Sequence, residues 1–116
     1  MRAILVLAIA LAVPAVAAGS SVGLHVRPHT VPAGKIIHVS GNVGNGCSHH
    51  GQVTVISAAL HAGQEFAGVN AIFLHIHADG SFAAKTRIPS SRALGAYHVG
   101  ARCGGGSFGN ITLHVT

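Results

Sequence analysis

Apolar residues recur at every second position through most of this chain, the period of a strand with one buried face. Val22, Leu24 and Val26 alternate with Gly23, His25 and Arg27, until Pro28 and a Val31-Pro32-Ala33-Gly34 turn interrupt the run. Ile37 and Val39 point one way and His38 the other, and after a glycine- and asparagine-rich loop Val53 and Val55 alternate with Thr54 and Ile56. Residues 58–69 hold no sustained period and read as a loop or a short edge strand. Ile72, Leu74 and Ile76 then share one face, with Phe73, His75 and His77 on the opposite face. Asp79-Gly80 marks a tight turn into Phe82, Ala84, Thr86 and Ile88, which leaves Lys85 and Arg87 outward. A polar connection at residues 89–95 leads to Tyr97, Val99, Ala101 and Cys103, then to a Gly104-Gly105-Gly106 turn and a last strand with Ile111, Leu113 and Val115. About seven short strands with frequent turn signals predict an all-β, antiparallel, two-sheet sandwich.

The first eighteen residues break this pattern. Arg2 is followed by an uncharged apolar run from Ala3 to Val13, then by Pro14 and the small residues Ala15 to Gly19. That order is expected of a secretory signal peptide over residues 1–18, leaving residues 19–116 as one exported domain. The apolar run is shorter than the ~20 residues that cross a bilayer as a helix, so no transmembrane segment is expected after leader removal. Export into an oxidising compartment makes a Cys47–Cys103 disulfide the default reading of the two cysteines.

Charge changes the picture further. The chain carries seven Lys and Arg against two acids, with ten histidines, all of them beyond the leader. Histidine changes charge in mildly acidic surroundings, so the surface becomes still more basic below neutrality. Lys85, Arg87, His98, Arg102 and His114 are the candidate anion-binding surface, and an anionic cell-surface polymer or protein is the expected partner. One tyrosine and four phenylalanines offer little for base stacking, so sequence-specific nucleic-acid binding is not expected.

Several segments together resemble the bacterial extracellular immunoglobulin-like domains. They are Val31-Pro32-Ala33-Gly34 into Ile36 to Gly41, Ala78-Asp79-Gly80-Ser81-Phe82, Gly95-Ala96-Tyr97-His98-Val99, and the closing Ile111-Thr112-Leu113-His114-Val115. The resemblance covers most of residues 19–116 and implies an immunoglobulin-like sandwich serving as a spacer, adhesion module or ligand-binding appendage. It extends to the neocarzinostatin-type apoproteins, which implies a small-molecule carrier as a second alternative function, although this chain has cysteines for one bridge and no tryptophan.

The sharpest chemical motif is His75-Ile76-His77. On a strand its two imidazoles share a face, separated by two rises of about 3.3 Å, close enough to share an ion. His38 is the expected third ligand, on the expectation that the second strand pairs with the one carrying His75, and Zn or Cu suits imidazole. An extracellular Zn- or Cu-binding protein is thus the first alternative to a secreted, non-enzymatic interaction domain. Catalysis is not expected, because general acid–base work would have to draw on Glu65 and Asp79 alone, and no serine sits in a nucleophile elbow.

Overall fold

Branched residues fill the inward positions of the alternating segments. Val26, Ile37, Val39, Val53, Val55, Ile76 and Val99 are buried, while the residues on either side of each are exposed or half-buried. The computed structural model describes residues 22–103 and 106–116. The expected leader, residues 1–18, and Gly104 and Gly105 of the glycine turn lie outside the described residues. No helix among the described residues is long and apolar enough to cross a membrane.

The strands are β1 (Gly23–Arg27), β2 (Thr30–Val31), β3 (Ile36–Asn42), β4 (Gln52–Ile56), β5 (Glu65–Phe66), β6 (Val69–His75), β7 (Ser81–Arg87), β8 (Gly95–Cys103) and β9 (Gly106–Val115). They form an all-β sandwich of two sheets, one ordered β1-β3-β7 and the other β2-β9-β8-β4-β6-β5. Only the two-residue β2 pairs in parallel, with β9; the remaining ladders are antiparallel. Leu24, Val26, Ile37, Val39 and Phe82 from the smaller sheet meet Val53, Val55, Leu74, Val99, Leu113 and Val115 from the larger one in a single apolar core. Where β1 crosses β3, a Cβ on Gly41 would collide with the Gly23 carbonyl oxygen and the Phe82 ring, so only glycine permits that approach.

One pairing differs from expectation. β3, which carries His38, pairs with β1 and β7, whereas β6, which carries His75, pairs with β4 and β5. From β4 through β6 the chain stays in the larger sheet and returns to the smaller one only after His77, so the strand that comes to lie beside β3 is β7. Residues 58–69 combine both forms expected of them. Leu60 N–H donates to the Ser57 carbonyl in a turn, and β5 then forms a two-residue edge joined to β6 through Ala67 and Gly68.

Cys47 and Cys103 form a disulfide with their Cα atoms 5.9 Å apart, tying the β3–β4 loop to the end of β8. Near the start of β8 the Tyr97 hydroxyl donates to the Ala93 carbonyl at 2.6 Å, which fixes the corner leading into the strand. Arg92, in the same connection, donates from Nε to the Ala59 carbonyl (3.2 Å) and from Nη2 to the Leu60 carbonyl (2.8 Å). Its role is to tether residues 58–60, which the charge pattern alone does not reveal.

Candidate anion-binding face and histidine cluster

The outward positions of the three-stranded sheet fall on successive rungs. Arg27 on β1, His38 on β3 and Lys85 on β7 occupy one rung, and His25, Ser40 and Ala83 the next. Arg87 extends the face opposite Ile36, and its Nη1 donates to the Gly34 carbonyl at 2.7 Å. Arg27, His38, Lys85 and Arg87 are all exposed. Long basic side chains beside the short Ser40 and Ala83 leave a shallow depression of about 660 Å³ lined by Arg27, His38, Ser40, Ala83, Ala84 and Lys85. A second depression of about 500 Å³ shares Arg27, Ser40 and Ala83 and extends past His25 and Ser81 to His77. Together they form one trough across the sheet. The two carboxylates lie elsewhere: Glu65 on β5 of the other sheet, and Asp79 in the β6–β7 turn.

The expected anion-binding residues are therefore divided. Lys85 and Arg87 lie on the three-stranded sheet, while His98, Arg102 and His114 lie on the outer face of the six-stranded sheet. There His98 stands opposite Thr112 and His114 opposite Ala96, so the two histidines are diagonal neighbours. The Arg102 guanidinium sits 5.4 Å from the centre of the Phe66 ring, in a cation–π contact.

The expected metal set is also rearranged. His38 is exposed on the smaller sheet and His75 on the larger one, both pointing outward, so the sandwich core separates them and His38 cannot be the third ligand. His75 and His77 do meet, with ring centres 5.4 Å apart, and His50 from the β3–β4 loop stands 6.1 Å from His75. His50 was not predictable from strand period, because it belongs to a loop whose course is set by the disulfide and by backbone bonds. The His50 N–H donates to the Ile76 carbonyl, and the Ile76 N–H donates to the Gly51 carbonyl, both at 2.9 Å. As they stand, no three histidine, cysteine or carboxylate groups among the described residues surround one point.

The same end of the sandwich is braced by two residues without a periodic signal. Asn42 is buried; its Oδ1 accepts from Gly44 N–H at 2.7 Å and its Nδ2 donates to the Asp79 carbonyl at 3.1 Å. His49 reaches the Ala78 carbonyl through Nδ1 and the Gly44 carbonyl through Nε2, each at 2.8 Å. Two carbonyl partners suit an imidazolium, which donates from both nitrogens, and the bonds to Gly44 and then Ala78 raise the His49 pKa above its ordinary 6.5. Asp79 Oδ1 accepts from both the side chain and the backbone N–H of Ser81, which lowers its pKa.

No family model matches the chain, and no curated protein matches it. Among solved structures it is similar to part of a Paenibacillus sp. cycloisomaltooligosaccharide glucanotransferase complexed with cycloisomaltoheptaose. The identity is 15% and the TM-score 0.48, with 84% of this chain covered. The chain spans only 14% of the length of that enzyme.

Proposed function

We propose that this chain is a secreted, non-enzymatic domain of immunoglobulin-like type that binds an anionic polymer on its three-stranded sheet. The Arg27–His38–Lys85 rung carries the reading. Neighbouring strands lie about 4.8 Å apart, so Arg27 and Lys85 stand roughly 10 Å from each other on either side of His38, with no carboxylate on the rung between them. Folding draws no ion pair from such a row, whereas a polymer of phosphate or sulfate groups pairs with both cations. The floor of Ser40 and Ala83 lets the polymer approach the sheet, and Arg87 extends the basic row beyond the rung. The disulfide suits an exported chain. The strand order and the Tyr97 hydroxyl bonded four residues upstream support the immunoglobulin-like type.

The test is retention of the oxidised protein on an immobilised sulfated polysaccharide, read as the salt needed for elution. Arg27→Gln combined with Lys85→Gln should lower that salt sharply, while Arg102→Gln on the opposite sheet should leave it nearly unchanged. Retention should strengthen from pH 7.5 to 5.5, because histidine, of which the chain has ten, is the side-chain type that charges across this interval. Equal losses from both sheets would show general basicity and overturn the assignment.

A further inference from the structure

From the histidine cluster we infer a metal site, separate from the basic rung: His75 and His77 chelate one Cu²⁺ or Zn²⁺ ion, and His50 closes on it as third ligand. With metal–nitrogen bonds of about 2.0–2.1 Å, two imidazoles on a tetrahedral ion have ring centres roughly 5 Å apart. The His75–His77 separation of 5.4 Å is close to that value. The His50 ring stands slightly farther off, at 6.1 Å from His75. All three histidines are exposed. Exposed side chains change rotamer in picoseconds to nanoseconds, so gathering the third ring requires a side-chain rotation and no change of fold.

The backbone around the cluster is already fixed. The reciprocal bonds among His50, Gly51 and Ile76 hold the loop against the end of β6. The 77–80 turn is closed by Gly80 N–H on the His77 carbonyl and by His77 N–H on the Ser81 carbonyl, at 2.9 and 2.8 Å. His50 itself is held at φ +72°, a left-handed conformation that few non-glycine residues adopt and that often accompanies functional sites. Cys47 is committed to the disulfide, so the donors are neutral nitrogens, the set that selects Cu²⁺ and Zn²⁺ over Mg²⁺ or Ca²⁺.

The experiment titrates the oxidised protein, freed of metal by chelator and dialysis, with Cu²⁺ and with Zn²⁺ by calorimetry, and records the Cu²⁺ electron paramagnetic resonance spectrum. One equivalent should bind, with a spectrum showing coupling to three imidazole nitrogens. His75→Gln should weaken binding roughly a hundredfold or more, since losing even an outer-shell partner costs about 10–100-fold at metal sites. His50→Gln should weaken it less and reduce the coupled nitrogens by one, and His38→Gln should have no effect. Circular dichroism of each variant separates loss of a ligand from loss of fold. Stoichiometric binding that survives His75→Gln, or the absence of a stoichiometric site, overturns the proposal; an unchanged spectrum in His50→Gln overturns the third ligand.

Discussion

Single side chains at the loop end of the sandwich carry a pH dependence whose sign the geometry fixes. His49 has its pKa raised by two carbonyl acceptors, so its contribution is complete below the ordinary 6.5 and disappears as pH rises through the higher folded value. Asp79 works in the opposite sense: its pKa is lowered by Ser81, so its contribution is present above the ordinary 3.8 and is lost as pH falls through the lower folded value. Both bond sets are intact only in the acidic interval between these values. Thermal melts in chelator-containing buffer should therefore show a fall in Tm from pH 6 to pH 8 that is shallower in His49→Gln; identical slopes would remove His49 from the account. A second residue acts without charge. Thr86 is buried, and its hydroxyl finds no hydrogen-bond partner among the described residues. Replacing that hydroxyl by a methyl in Thr86→Val should raise stability by about 1 kcal/mol, since a lone buried polar group costs roughly 1–3 kcal/mol. Urea unfolding decides it, and a destabilised variant would mean that the hydroxyl is satisfied.

Among the elements, the strands were legible and the connections were not, for a physical reason. Alternation reports burial on a face, so the inward sets Val53 and Val55, Ile72 and Leu74, and Phe82 and Thr86 could be read directly; it carries no information about which strand lies beside which. The partner of β3 depended on where the chain crosses between sheets, and assigning the strand of His75 to that place put His38 in the wrong cluster. Asn42 left a readable sign, an asparagine two residues before a glycine whose N–H its side chain accepts, whereas His50 and Arg92 act through loops that have no period. Two connections yield predictions. Ala67 and Gly68 both have positive φ, +54° and +85°, in the two-residue β5–β6 turn, a geometry that favours Asn-Gly. Ala67→Asn should stabilise by about 0.5–1 kcal/mol, because a left-handed non-glycine residue costs roughly 1–2 kcal/mol, and a lowered Tm would refute that reading of the turn. Arg92→Ala removes two charge-assisted bonds from the carbonyls of the buried Ala59 and Leu60 and should cost about 2 kcal/mol. Arg92→Lys should recover little, since an ammonium cannot reproduce the forked donor, and near-complete rescue would count against it.

For the whole molecule, two chemistries occupy different parts of one sandwich and approach each other at a single end, where His77 lines the far end of the basic trough. The three-stranded sheet presents the basic rung, the six-stranded sheet presents the paired histidine rings, and the turn holding His77 stands where the two meet. Such a division requires the loops at that end to keep their places, and the Cys47–Cys103 bond ties the loop bearing His49 and His50 to the end of β8. The bond closes a separation of 56 residues, for which chain entropy predicts about 4 kcal/mol of stabilisation. Small domains have only about 5–15 kcal/mol in total, so reduction should remove a large part of the margin. Replacing both cysteines by serine should lower the urea midpoint by roughly 2 M, given slopes of about 1–3 kcal/mol per molar. The loss should reach both proposed sites through different routes. Metal binding should weaken even where the variant stays folded, because the loop of His50 then depends on its backbone bonds to Ile76 alone, whereas retention on the sulfated polymer should persist until the sheets themselves unfold, because Arg27, His38 and Lys85 sit on rungs held by ladder bonds. Parallel loss of both activities under folding conditions would show that the bridge supports the sandwich as a whole and not the loop.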